Sequence, residues 1–308
     1  MDAAQEKIAI ARLSVYSNTA LVAIKLVVGL LMGSVAVISE AIHSGVDLIA
    51  ALIARFSVKK SAEPADEEHR FGHGKYENLS GAVEGALIFV AAGGIIIQSV
   101  RRLREEFKVD FVAGGIVVMG ISTVVNLYVS RKLMRVARKT DSLALEADAY
   151  HLQTDVWTSA GVFLALVLIG ITGMDLLDPA IALVVAAFII KAAYDITLRS
   201  TKGLVDYSLP EDEMKLIERI MTDHETDFVN FHKLRARKSG SERHIDLHLT
   251  VPRHLSVKEG HDLAEHLSHE IRKEFPQSVV VIHVEPCDEE CDKCRMNPPD
   301  NAFTGNSG

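Results

Sequence analysis

Glu40-Ala41-Ile42-His43-Ser44-Gly45-Val46-Asp47 and Asp148-Ala149-Tyr150-His151-Leu152-Gln153-Thr154-Asp155 follow one pattern: acid, Ala, a large apolar residue, His, three spacers, Asp. In a helix, residues three and four apart share a face. Each copy therefore presents an imidazole beside a carboxylate, with a second carboxylate one turn earlier. Both copies lie in strongly apolar surroundings. Ionisable groups inside a membrane span are costly and usually face the bundle interior, where they mark an ion or proton path. Two facing His/Asp pairs supply two nitrogens and two carboxylates, the number and type of donor that tetrahedral Zn2+ takes. A single pair reads equally well as a structural hydrogen bond. Two copies in the same order and spacing point to a four-ligand intramembrane metal site of His43, Asp47, His151 and Asp155.

Working outward, six apolar stretches of spanning length surround these motifs, at roughly residues 10–31, 35–57, 78–100, 111–130, 147–170 and 176–198. The intervening segments alternate in character. Gly33-Ser34 and Gly173-Met174-Asp175 are short turns without Lys or Arg, whereas 57–77 and 130–146 read as long basic loops. The positive-inside rule then puts both termini in the cytoplasm. Arg101, Arg102, Arg104 and Lys108 count against that orientation without reversing it. Gly81, Gly85, Ala92, Gly93 and Gly94 give the third span a stripe along which another helix can approach. Glu84 on the same span is expected to face cytoplasmic water, with a proton relay as the alternative. Glu40 and Asp148 are expected either to orient the ligating imidazoles or to be exposed at helix ends.

Of the 308 residues, 48% are hydrophobic, and that excess lies before about residue 205. The composition break there predicts domains at 1–205 and 206–286, with a flexible tail at 287–308. In the second domain the order is helix (210–225), strand (228–237), strand (242–251), helix (256–275) and strand (278–285). That order describes a small α+β, ferredoxin-like sheet with helices on one face. Ser256 with Glu259 forms a capping box for the second of these helices. Alternation puts Ile245, Leu247 and Leu249 on one strand face, with His244, Asp246 and His248 on the other. The formal net charge of −8 argues against a nucleic-acid partner. The N-terminus lacks a secretory signal's basic start and cleavage site.

These residues resemble the cation diffusion facilitators, whose bacterial members include zinc/proton antiporters. The resemblance runs from about residue 8 to 286. His43, Asp47, His151 and Asp155 fall on the family's four transport positions, and His at the first of them is similar to zinc-preferring members. Asp66, His69 and His73, in the loop ending Phe71-Gly72-His73-Gly74-Lys75, match a second zinc site of relatives. Lys75 and Asp206 resemble a pair that bridges the third span to the linker. His232, His248, His261 and His283 match a zinc site at the relatives' dimer interface, with Glu285 standing where the best-matching relatives have Asp. His224, His244, His254, His266 and His269 are expected on the surface. Cys287, Cys291 and Cys294 are possible extra thiol ligands that the family pattern does not require.

The resemblance implies a polytopic α-helical membrane protein with six transmembrane helices and a C-terminal cytoplasmic domain. It would be a homodimer in the bacterial inner membrane, exporting Zn2+, or Cd2+, in exchange for protons, with further Zn2+ bound in regulatory or structural roles. An enzyme is not expected. His269-Glu270 is followed by Ile271, Arg272 and Lys273, so no His-Glu-x-x-His occurs, and no phosphate-binding P-loop marks ATP as the energy source. The alternatives are a carrier of Fe2+, Co2+ or Mn2+ and a membrane zinc sensor that transports nothing.

Overall fold

The computed structural model describes residues 3–32, 35–103, 113–172, 174 and 176–288. The chain divides into two units, Met1–Val205 and Asp206–Gly308. The first holds six long helices: α1 (Ala3–Met32), α2 (Val35–Ser61), α3 (Lys75–Arg102), α4 (Ala113–Thr140), α5 (Leu143–Thr172) and α6 (Leu177–Leu204). By length and composition, five of them, α1, α2, α3, α5 and α6, are long and apolar enough to cross a membrane. Large apolar side chains such as Leu31, Val90, Phe163 and Phe188 are exposed. Hydrocarbon is the solvent in which that arrangement carries no penalty, and helices satisfy their own backbone there.

The helices outrun the hydropathy limits at one end of the bundle. The segment 130–146, expected as a basic loop, is helical apart from Asp141 and Ser142. Arg131, Lys132, Arg135, Arg138 and Lys139 all lie on α4, and the last two occupy its final turn, where cations meet the negative end of the helix dipole. Asp141 takes a left-handed φ of 53° and the Ser142 N–H returns to the Ala137 carbonyl at 3.0 Å, a Schellman-type stop.

Packing is most extensive between α3 and α6, α1 and α2, and α4 and α5. Between α3 and α6, Ile88 and Ala92 meet Ile189 and Ala193. Three of the five residues of the expected small-residue stripe, Gly81, Gly85 and Ala92, take part. A Cβ at Gly81 would collide with Ser200, and one at Gly85 with Thr197, whereas a Cβ at Gly93 or Gly94 would meet nothing within 4 Å.

The second unit contains α7 (Glu211–Asp223), β1 (Asn230–Ser239), β2 (Glu242–Val251), α8 (Val257–Glu274) and β3 (Ser278–Pro286). The sheet order is β1-β2-β3, with β1/β2 antiparallel and β2/β3 parallel. Gly240, at φ 61°, turns the hairpin. Ile245, Leu247 and Leu249 are buried with Ile217 and Met221 of α7 and Leu267 and Ile271 of α8. The opposite sheet face is thereby left to the polar residues. The capping box forms: the Glu259 N–H donates to Ser256 Oγ at 3.3 Å, and the Ser256 N–H to Glu259 Oε2 at 2.8 Å. Cys287, expected in the tail, is buried, and its N–H donates to the Val251 carbonyl at 2.9 Å. Cys291 and Cys294 lie outside the described residues.

Candidate metal centre

The i, i+4 spacing places His43 and Asp47 on one face of α2, and His151 and Asp155 on one face of α5. The two faces meet crosswise. His151 Nε2 lies 3.0 Å from Asp47 Oδ1, and His43 Nε2 lies 3.6 Å from Asp155 Oδ1. Each imidazole therefore addresses the carboxylate of the other copy of the motif. Donor atoms of His43, Asp47 and Asp155 all lie within 4.8 Å of one another. The His151 and Asp47 side chains are 8% and 3% exposed, whereas His43 is 51% exposed, so the cluster is closed on one side and open on the other. The open side is a cavity of 120 Å³ lined by His43, Asp155, Lys25, Ser122, Asn126 and Thr158, among others. Asn126 on α4 donates to Asp155 Oδ2 at 3.1 Å, fixing a carboxylate that sequence spacing alone leaves free to rotate.

The acids one turn earlier do not follow expectation. Asp148 is fully buried, and no hydrogen bond joins it to His151, so it neither orients that ring nor sits at an exposed helix end. The side chain of Glu40 lies outside the described residues. Glu84 is also fully buried rather than water-facing, and one of its oxygens accepts from Ser80 Oγ at 2.9 Å.

In the loop between α2 and α3, Asp66 Oδ1 lies 3.3 Å from His69 Nδ1, and Asp66 Oδ2 lies 3.2 Å from His73 Nε2. The two imidazole rings are 4.4 Å apart. Gly72, at φ 79°, makes this possible: its N–H closes a turn onto the His69 carbonyl at 2.9 Å, bringing His73 back beside His69. A side chain at that φ would be strained. The His69 N–H donates to Asp66 Oδ1 at 2.6 Å. That bond, aided by the neighbouring His73, holds the Asp66 carboxyl below its ordinary range. The triad, two imidazoles and one ionised carboxylate, is therefore already folded around a common point.

In the second unit, strand register does the positioning. His232, His248 and His283 are paired across three strands. Their rings are 5.3 Å apart from His232 to His248 and 4.7 Å apart from His248 to His283. Glu285, two residues beyond His283 on the same face, spans the first pair. Its Oε1 lies 2.9 Å from His232 Nε2, and its Oε2 lies 3.1 Å from His248 Nδ1. The His248 hydrogen bond, with the charges of His232 and His248 behind it, pulls the Glu285 carboxyl below the usual glutamate range. His232, His248 and Glu285 form a three-donor group. His283 flanks it, and His261 lines a groove of 320 Å³ beside Glu285. Of the histidines expected on the surface, His254, His266 and His269 are exposed, whereas His224 and His244 are half-buried.

Sequence reading missed one further polar centre in the first unit. Glu77, fully buried at the start of α3, takes the Lys7 ammonium of α1 at 2.7 Å and the Ser61 hydroxyl of α2 at 3.0 Å on one oxygen. Its other oxygen takes the Ser142 hydroxyl from the start of α5. Four helices converge on this one carboxylate. The ammonium of Lys75 donates to the Leu204 carbonyl at 3.3 Å, and Asp206 accepts from Arg237 at 3.0 Å.

Comparison with known proteins identifies the family of both units. The cation efflux transmembrane domain matches residues 11–205, and the cation efflux protein cytoplasmic domain matches residues 209–287. An uncharacterized transporter of Synechocystis sp. is 39% identical over 277 residues, covering 90% of this chain and 89% of its own. The cation-efflux pump FieF of Yersinia pestis is 34% identical over 275 residues, covering 88% and 91%. A solved structure of CzrB in its zinc form is 29% identical, covers 26% of this chain and 90% of its own, and superposes with a TM-score of 0.25.

Proposed function

Because the chain belongs to the cation efflux family, a family of multi-pass transporters with a cytoplasmic C-terminal domain and not of enzymes, we propose that it carries Zn2+, with Cd2+ as a second cargo, out of the cytoplasm in exchange for protons. The observation that carries this reading is the crosswise quartet of His43, Asp47, His151 and Asp155 between α2 and α5. Two imidazole nitrogens and two carboxylates suit a tetrahedral divalent ion. The ion requires neutral imidazoles and ionised carboxylates, so loading it releases protons, and protons arriving from the other side release it. A quartet shared by two helices is also a natural two-state element: a small relative shift of α2 and α5 alters all four donors at once.

Zinc at Asp66, His69 and His73, and at His232, His248, His261, His283 and Glu285, would have a regulatory or structural role, and Cys287, Cys291 and Cys294 are available as thiol ligands. The cytoplasmic domain is of the family's dimerising type. Zinc bound on its histidine row would close two protomers of a homodimer together, and a Lys75–Asp206 pair would transmit that closure to the helices. Placement in a bacterial inner membrane with both termini cytoplasmic completes the proposal. The test is zinc uptake into everted membrane vesicles, which Asp47→Ala and His151→Ala should each abolish. Uptake that persists in both variants, or that favours Fe2+, Co2+ or Mn2+ over Zn2+, overturns the corresponding part.

A further inference from the structure

The cavity beside the His/Asp quartet has a positive charge built into its wall. Lys25 lies on α1, in a candidate membrane span, and is 3% exposed. Its ammonium donates to Ser44 Oγ at 2.7 Å, and Ser44 is likewise 3% exposed. Ser44 directly follows His43 and lies on the turn of α2 that carries His43 and Asp47. Lys25 also lines the same 120 Å³ cavity as His43, Asn126 and Asp155. A charged side chain in a span is expensive, and where it occurs it usually faces a functional cavity. Here it stands, against simple electrostatics, where a divalent cation would have to approach.

We propose that Lys25 sets the affinity of the transport site, as a tethered cation that weakens the hold of Asp47 and Asp155 on a divalent ion so that the ion is released rather than trapped. The inference rests on the transport-site reading above. Two carboxylates and two imidazoles in a medium of low dielectric would bind a divalent ion tightly enough to stall a carrier. A fixed unit charge in the same cavity repels a divalent ion twice as strongly as a monovalent one, because Coulomb energy scales with the product of the charges. The Ser44 hydroxyl holds the ammonium in place, so the charge cannot leave with the ion. Ser122, Thr123, Thr158 and Ser159 add four hydroxyls to the wall, beside the apolar Val162, and those hydroxyls suit a partly hydrated ion on its way out.

The experiment measures zinc transport in proteoliposomes for wild type, Lys25→Met, Lys25→Gln and Lys25→Arg, with Asp155→Ala as the reference for the site. Lys25→Met and Lys25→Gln should each lower the KM for Zn2+ by about tenfold or more, with kcat no higher than wild type. Lys25→Arg should retain the wild-type KM. Lys25→Gln keeps a donor for Ser44 without the charge, so a wild-type KM in that variant would make Lys25 a mere tether between α1 and α2 and overturn the proposal. An unchanged or raised KM in both neutral variants overturns it as well. Should Lys25→Met fail to fold, the Gln and Arg variants still decide. Wild-type transport by Asp155→Ala is a different failure, since it removes the transport site itself and this inference with it.

Discussion

His151 and Asp47 are 104 residues apart in the chain, yet Nε2 of one lies 3.0 Å from Oδ1 of the other, with both side chains almost wholly withdrawn from solvent. The matching contact, His43 with Asp155, is longer at 3.6 Å and more exposed. The quartet is thus asymmetric, with one pair locked into the bundle and one lining the cavity.

Asn126 holds the exposed pair in order by donating to Asp155 Oδ2. Asn126→Ala should lower zinc affinity at the transport site by about 10–100-fold, the usual effect of removing a group that orients a metal ligand. Zinc titration of the purified protein against Asp155→Ala as background checks this. Asn126→Asp should not restore affinity, because a carboxylate cannot donate that bond.

Glu77 is the joint of four helices at one end of the bundle. Breaking a buried ion pair from one side leaves the other charge unpaired, at about 3–5 kcal/mol. Glu77→Gln and Lys7→Met should each destabilise the protein by that order in thermal unfolding in detergent. The double variant should lose less than the sum of the two.

The α3/α6 contact predicts opposite responses at two glycines eight residues apart. Gly85→Ala drives a Cβ into Thr197, a stiff β-branched neighbour, and should cost about 1–3 kcal/mol. Gly93→Ala meets open space and should be neutral, or stabilising by about 0.5–1 kcal/mol through helix propensity. Melting temperatures of the two variants in one detergent test the pairing.

How much of this was legible in the chain differs by residue. His43, Asp47, His151 and Asp155 could be picked out because their i, i+4 spacing interrupts apolar spans. Their crosswise partnership could not, since spacing defines a face of each helix but not how two helices are rotated against each other. The His232/His248/His283 row follows from period-two alternation once strand register is known, and register depends on the bulge beside Lys233, whose φ of 53° has no sequence signature. Glu77 carried no signal: a lone acid after Lys75 reads as a solvated helix start. The 130–146 segment misled because hydropathy marks where lipid contact ends, and Arg131 to Lys139 continue the helix beyond that limit.

Glu259 predicts a pH effect in the second unit. Its carboxylate is held below the ordinary glutamate value by the hydroxyl of Ser256 first and the Ser256 backbone N–H second. A depressed folded-state value gives stability that is fully present above the unfolded value of about 4.3 and lost as pH falls through the lower folded one. Wild type should therefore be more stable than Glu259→Gln at neutral pH, and the gap should close below about pH 4. A gap that persists unchanged under acid would contradict the assignment.

The most direct test of the central claim is metal-driven proton movement in sealed proteoliposomes, comparing wild type with Asp155→Ala across Zn2+, Cd2+, Fe2+ and Mn2+. Zn2+ should drive protons the opposite way across the wild-type bilayer, Cd2+ should do the same, and Asp155→Ala should abolish both fluxes. Zinc bound by the wild-type protein with no proton flux under any of the four ions would contradict it and leave a membrane zinc sensor as the better description.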